Sequence, residues 1–459
     1  MKNAQDPVDE ILPASKLCTL GLQHVLVMYA GAITIPLIIG GAMKLPKDQL
    51  AHLIRADLFV CDLATLIQTL GFWKVGIRLP IMMGVTFVAV GPMLAIGANP
   101  DLGLLGIFGS VIAAGIFTVV FAPFVGRTLP LFPPVVTGTV ILTIGLTLMG
   151  VAVHWSAGGQ PTIPGPAGPI PNPNYALLSN IGIAALVLVS ILAIIRYARG
   201  FFANIAVLIG ILVGFAAALM AGRVDIRGIG DEAWMAIVAP FHFGMPVFDI
   251  WAILMMCLVM MVVMIESTGM FLAMGEIVEK PVSEGDLARA IRADGVGTIL
   301  GGIFNTFPYT SYSQNIGLVQ VSNVRSRWVC VTGGLMMVVL GMLPKLAFIV
   351  ASIPQYVLGG AALVMFGMVA ATGIKILTAV DFSSNRNNLY IVAVSVAIGM
   401  VPLISSKFFE NFPKELAPLT HSGIVLAALM ALALNLIFNG YSRPSKITPR
   451  QTALQGAHE

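Results

Sequence analysis

The chain has 459 residues, 58% hydrophobic and 10% charged, with a mean hydropathy of +0.94. A soluble domain carries about 25% charged residues, so this is an integral membrane protein, and its long uncharged runs suit helices rather than barrel strands. The net charge of +4 adds little, and no nucleic-acid partner is expected.

The first sixteen residues, MKNAQDPVDEILPASK, are polar and acid-containing without a signal-peptide core, so the first apolar span is expected to be retained. In chain order, runs bounded by Pro, Gly and charge mark fourteen spans: 17–40, 52–71, 80–98, 103–123, 132–153, 178–197, 202–221, 247–273, 288–304, 307–322, 328–349, 353–375, 387–404 and 420–439. An even number puts both termini on one side. With that side inside, the outer segments hold seven cations: Lys44, Lys47, Arg223, Arg227, Lys345, Lys407 and Lys414. Arg55 lies within a span, so 25 − 7 − 1 leaves seventeen inside, and the bias places both termini in the cytoplasm. Of the outer loops, 154–177 is rich in Pro and Gly and reads as irregular; 222–246 could hold a short strand or hairpin. The four cysteines, Cys18, Cys61, Cys257 and Cys330, have no metal-ligand spacing and read as small buried hydrophobes; no metal and no cofactor are expected.

A faint internal repeat pairs FPPVVTGTVILTIG from Phe132 with IPQYVLGGAALVMFG from Ile353, aligning Pro133 with Pro354 and Gly138 with Gly359. Seven spans separate the copies, an odd number, so they have opposite orientations. The third and tenth spans correspond under the same division, and both are broken. The third contains Pro80, Gly84 and Pro92; the tenth, NTFPYTSYSQNIGLVQV, has Pro308, a run of hydroxyls and Gly317. FPYTSYS favours extended backbone. Interrupted spans survive at membrane depth only where protein or a wet cavity satisfies them. Half-helices are therefore expected to start near Gln314 and after Thr86, turning two positive ends towards one midplane point.

Glu266 follows fifteen uncharged residues, and a charge at that depth costs about 3 kcal/mol on insertion scales. It reads as a ligand-binding or proton-carrying acid, against a structural acid bonded to neighbouring helices. Asp294 opens the ninth span, as a proton carrier or as an N-terminal acid on the helix dipole. His24 is either a satisfied core residue or part of a relay. In the second span, Asp57 could pair with Arg55 or a neighbouring helix, and Asp62 lies deeper. Phe87, at a half-helix start, could stack a planar ligand.

QNIGLVQVSN, with Gln314, Asn315 and Gly317 in register, resembles the signature of the nucleobase–ascorbate transporter family (nucleobase–cation symport family 2). Ser322 stands for the usual Thr, and Asn323 for a basic residue or Gly. LGLQHVLVMYAG, ADLFVC, IESTGMFLAMGEI, DGVGTILGG and VASIPQYVLGGAALVMFGMV extend the likeness over nearly the whole chain, to bacterial uric acid and xanthine permeases. The resemblance implies an all-α integral membrane protein with 14 transmembrane segments in two inverted seven-span repeats, short strands in broken spans 3 and 10, and a homodimer. It implies a cytoplasmic N-terminal tail 1–16, a core domain 17–130 and 247–350, a gate domain 131–246 and 351–440, and a cytoplasmic C-terminal tail 441–459. By position, Glu266 resembles the acid that bonds the purine ring, Gln314 the carboxamide that reads its pyrimidine edge, and Asn315 its supporting neighbour. Asp294 resembles the proton-coupling acid, His24 a histidine that holds the site, and Phe87 the stacking aromatic, with its amide and that of Ser313 available to the base. Thr86 stands where xanthine-preferring members tend to carry Asn, which favours urate with xanthine also accepted. Met270 replaces an Asp common elsewhere in the family, again as in uric acid permeases.

The expectation is therefore proton-coupled purine uptake across a bacterial inner membrane by alternating access, with Asp294, Glu266 or His24 carrying the proton. The rivals are a sulfate- or bicarbonate-type anion transporter on the same architecture and a channel. With no nucleophile–base constellation, an enzyme is not expected.

Overall fold

The computed structural model describes residues 6–165, 168–405, 407–413, 420 and 422–440. The expected tail 441–459 lies outside them, as do residues 1–5.

The long helices are α1 Ala14–Ala42, α2 Lys47–Leu70, α4 Gly103–Phe121, α6 Pro134–Ser156, α7 Leu178–Tyr197, α10 Ile250–Ile277, α11 Glu284–Ile303, α15 Gln355–Leu377 and α16 Asn387–Ile404; most are apolar runs, and α1 and α16 continue through Pro36 and Pro402. The shorter ones are α3 Val90–Gly97, α5 Val125–Thr128, α8 Phe201–Asn204, α9 Ala206–Met220, α12 Ser313–Ser322, α13 Arg327–Gly341, α14 Pro344–Ala351 and α17 Gly423–Asn439. The chain is a multi-pass membrane protein: among the described residues seven helices are long and apolar enough to cross a bilayer, or eight if α13 and α14, bent by 80°, form one span. The other expected spans fall short for physical reasons. α2 and α11 are long enough but carry charges along their length, α9 and α17 are short, and the third and tenth spans are broken.

Those two breaks hold strands. β1 (Met83–Val85) pairs antiparallel with β4 (Tyr309–Ser311), with Gly84 opposite Thr310. The ladder continues as Tyr312 N donates to Met82 O (2.9 Å) and Thr86 N to Pro308 O (3.0 Å). The strands' outward edges are satisfied by side chains on the flanking helices. Thr65 Oγ1 of α2 accepts the Met83 amide (2.8 Å), and Thr298 Oγ1 of α11 accepts the Tyr309 amide (3.1 Å). That is how extended backbone is tolerated at this depth.

Two sets of helices pack around this ribbon. α1, α2, α4, α10, α11 and α13 pack on one another, and α6, α7, α9, α15, α16 and α17 do likewise. α4 and α11 meet backbone to backbone: a Cβ on Gly115 would lie 2.7 Å from Ile299 N, and one on Gly295 2.8 Å from Val119 N. Small residues permit such approach between apolar helices. α6 and α15 both have 23 residues and a proline at the N-cap, and both bounds of α6 plus 221 give those of α15. They run antiparallel, with Gly145 against Ala370 and Gly359 against Ser156.

Two loop expectations are corrected. Residues 222–246 contain no strand, because their amides bond to helix ends: Ala236 N to Met342 O, Phe241 N to Ile303 O and Phe243 N to Asn305 Oδ1. The Pro- and Gly-rich loop is the one with a hairpin, β2 Thr162–Gly165 against β3 Gly168–Pro171; its prolines already hold φ extended. Cys18 is exposed, whereas Cys61 and Cys330 are buried. At the N-terminus, residues 6–13 form a strap. Val8 is fully buried, its carbonyl accepts from Arg327 N (2.9 Å), and Asp9 pairs with Arg327 (2.6 Å). A hydrogen bond from the Lys280 ammonium holds the Asp6 carboxyl below the usual carboxylate range.

Candidate substrate-binding site

The β1–β4 ribbon hands over to two helix starts. After β1, Thr86 caps a short 3₁₀ turn, Phe87–Ala89, that leads into α3; its Oγ1 accepts the Val88 amide (3.2 Å). After β4, α12 begins at Ser313 behind an N-cap, Tyr312, whose side chain makes no capping bond. The Tyr312 ring instead fills the space over two glycines: a Cβ on Gly84 would lie 2.0 Å from its Cδ2, and one on Gly31 1.7 Å from its hydroxyl. The ring thus sets the angle at which α12 leaves the strand. Helix starts carry unpaired amides and partial positive charge, and these two open on the same space.

That space is a cavity of about 390 Å³. Its polar wall comprises Glu266 of α10, Thr86, Thr310, Ser311, Ser313 and Gln314. The facing wall is mostly apolar: Ile141 and Ile144 of α6 and Val369 and Ile376 of α15, with the hydroxyls of Thr137 and Thr372. Phe87 closes one side, edge-on to Phe366 with centroids 5.9 Å apart, and Met270 lies one helical turn beyond Glu266. Among the described residues Glu266 Oε2 and Ser311 Oγ are buried with no partner, so a ligand donor or acceptor there meets no competitor among them. A concave, largely apolar pocket with convergent polar groups is the common form of a small-molecule site.

Five of the residues singled out from sequence, Glu266, Gln314, Phe87, Thr86 and Ser313, line this cavity. Asn315, His24 and Asp294 do not; they stand behind it. Asn315 Nδ2 donates to His24 Nδ1 (2.9 Å) and to the His24 carbonyl (3.3 Å). Because a carbonyl can only accept, the amide group is fixed there, Nδ1 is the acceptor, and the imidazole proton sits on Nε2. Asp294 is the eleventh residue of α11, well inside the helix. The dipole reading is therefore corrected: Glu284 and Asp286 occupy the first turn, where Ser283 and Asp286 form a capping box. Asp294 Oδ1 accepts from Gln68 Nε2 (3.1 Å), and its Oδ2 has no partner. Ser267, one residue past Glu266, lies beside Asp294 and shares a hydrogen bond with cavity-lining Thr310 (2.8 Å). A short polar path thus joins the cavity to Asp294, and sequence reading missed both Ser267 and Gln68. The pairing of Asp57 with Arg55 is also corrected. Asp57 accepts from Thr306 (2.6 Å) and Tyr309 (2.8 Å), while Arg55 donates to the carbonyls of Gly341 and Ala236. Asp62 is fully buried, with neither oxygen bonded. Asn323 ends α12 in the left-handed region (φ 53°), away from the cavity.

The sequence profile described as "Permease family" matches residues 15–407. The uric acid transporter UacT of Escherichia coli (strain K12) is 54% identical over 437 residues, 95% of this chain and 89% of its own. The uric acid permease PucJ of Bacillus subtilis (strain 168) is 44% identical over 96% of both chains, and the xanthine permease of the same strain 42% identical over 94% of this chain and 96% of its own. Among solved structures, the transmembrane domain of a cyanobacterium bicarbonate transporter, BicA, has a TM-score of 0.58 at 17% identity, covering 93% of this chain and 98% of that one. SLC26A9 has 0.61 at 14% identity, covering 91% and 65%. At such identities the likeness is one of fold alone.

Proposed function

Since the chain belongs to the nucleobase–ascorbate transporter family, with bacterial uric acid and xanthine permeases among its relatives, we propose that it is a proton-coupled purine uptake transporter that takes urate in preference to xanthine. The observation that carries this reading is the cavity in which Glu266 and Gln314 converge between two helix starts, beside the ring of Phe87. Glu266 and the Gln314 carboxamide bond the polar edge of the purine. Phe87 stacks on its face, and the amides of Phe87 and Ser313 complete the contacts. The Thr86 hydroxyl leaves room for, and donates to, the oxygen at C8 that distinguishes urate from xanthine.

In the same reading the chain crosses the membrane fourteen times as two inverted repeats with both termini cytoplasmic. The equal lengths and antiparallel packing of α6 and α15, and the matched roles of Thr65 and Thr298, support the repeat. The core comprises 17–130 and 247–350 and the gate 131–246 and 351–440. The two packing sets of helices and the cavity between them support that division. Purine and proton bind together, the core moves against the gate, and both leave on the cytoplasmic side of the bacterial inner membrane. A neutral acid costs far less to bury than a carboxylate, which ties loading to protonation of Glu266. The Ser267–Thr310 bridge couples the cavity to Asp294, and Asn315 couples it to His24. The working unit is a homodimer. An anion transporter has only the shared fold in its favour.

The test is radiolabelled urate uptake into cells lacking their own purine carriers, with a purine competition panel and an uncoupler. Uptake competed by xanthine and abolished by the uncoupler is expected. Competition by sulfate but not xanthine would refute the reading, and uncoupler-insensitive equilibration would point to a channel.

A further inference from the structure

A second cavity, of about 360 Å³, nearly equals the central one in volume and lies on the same two elements. On α6, Thr137, Ile141 and Ile144 line the central cavity, and Thr147, Val151 and His154 line the second. These six form one stripe at three- and four-residue spacing. Ten residues separate Ile141 from Val151, about 15 Å along the axis at 1.5 Å per residue. On the broken third span the order repeats: residues 85–88 line the first cavity, then Gly91, Ala95 and Ala98 the second. The far walls are Gly399 of α16 and Ser422, Gly423 and Ile424 at the start of α17. The two chambers are therefore consecutive along a single seam between the helix sets. The second adjoins the end of α6 that leads into the Pro- and Gly-rich loop.

We infer that this second chamber is a holding site for the same planar purine on its way to the central cavity. The inference rests on the purine reading given above. Small residues recur in its lining, Gly91, Ala95 and Ala98 on the third span, Gly150 on α6 and Gly399, Ser422 and Gly423 opposite. Three polar side chains, Thr147, His154 and Ser422, stand among them. Ser422 Oγ accepts the Val425 amide (3.4 Å), so its proton is free to donate. Thr147 donates to its own helix at Thr143 O (2.9 Å), which leaves its oxygen as an acceptor. His154 Nδ1 faces the Tyr175 hydroxyl (3.5 Å), so Nε2 is the nitrogen left for the ligand. Among the described residues no acid lines this chamber. It therefore holds purine without the grip of Glu266 and releases it inward.

Equilibrium binding of radiolabelled urate to the purified full-length transporter tests this. Wild type is expected to show two classes of site, one tight and one weak. Glu266→Gln should weaken the tight class and leave the weak one. Ala95→Leu, which fills the chamber, should remove the weak class, keep the tight one, and slow initial uptake at sub-saturating urate. His154→Ala, which obstructs nothing, should weaken the outer class by about threefold to tenfold, the scale of one hydrogen bond. A single class in wild type, with stoichiometry unaltered by Ala95→Leu, overturns the holding site and leaves purine transport standing. No urate binding at all overturns both.

Discussion

Truncation of Glu266 probes the site at its most informative atom. Glu266 Oε2 is buried and has no protein partner, so removing the carboxyl breaks no bond within the fold. What is lost is what the ligand had. With Glu266 protonated in the loaded state, a neutral hydrogen bond is worth about 0.5–1.5 kcal/mol and a buried ligand group left unpaired costs about 1–3 kcal/mol more; together they make about 1.5–4.5 kcal/mol, or roughly tenfold to two-thousandfold in affinity. Glu266→Ala is therefore expected to abolish measurable uptake at micromolar urate while expression and size-exclusion profile stay normal. Glu266→Gln keeps the volume and one neutral bond, worth about 0.5–1.5 kcal/mol, and should fall between the two. The assay is direct urate binding to purified protein alongside uptake in cells. If Glu266→Ala bound urate within about threefold of wild type, the carboxyl would not touch the ligand and the assignment of this cavity would collapse.

Thr86→Asn should shift the urate-to-xanthine uptake ratio towards xanthine, and an unchanged ratio in competition assays would count against the role given to that hydroxyl. Thr65→Val and Thr298→Val each orphan a buried strand amide, costing about 1–3 kcal/mol; a lower melting temperature in detergent is expected, and none would mean the ribbon finds other partners. Gly84→Ala drives a methyl into the Tyr312 ring, so loss of urate binding with residual folded protein is expected, and wild-type binding would show that α12 needs no such wedge. Ser267→Ala breaks the link between Thr310 and the neighbourhood of Asp294; urate binding should survive while uncoupler-sensitive accumulation falls, whereas a parallel loss of both would make Ser267 merely structural.

The breaks in the third and tenth spans were legible because Pro, Gly and a run of hydroxyls oppose a helix in an otherwise apolar run, and a lone acid such as Glu266 is conspicuous in oil. The rotation of α12 was not legible. FPYTSYS puts the helix start near Gln314, one residue from its place at Ser313, but nothing in the sequence tells that Gln314 then faces the cavity and Asn315 faces His24 under the Tyr312 wedge. Asp294 looked terminal because the polar first turns of α11 were assigned to a loop. The capping box at Ser283 shows that the helix runs ten residues before it. Of the two partners the sequence offers Asp57, Arg55 or a neighbouring helix, Arg55 fails because residues two apart on a helix do not face each other, and the bonds come from Thr306 and Tyr309 just beyond α11. The wall formed by α6 and α15 is ordinary apolar sequence that acquires meaning only by facing Glu266.

The most direct measurement is a cryo-EM map of the full-length protein with urate. The account predicts flat density against Phe87, within hydrogen-bond distance of both the Glu266 carboxyl and the Gln314 carboxamide, at the meeting of the two helix starts. Ligand density elsewhere with this cavity empty, or continuous helices through residues 80–98 and 307–322, would contradict it.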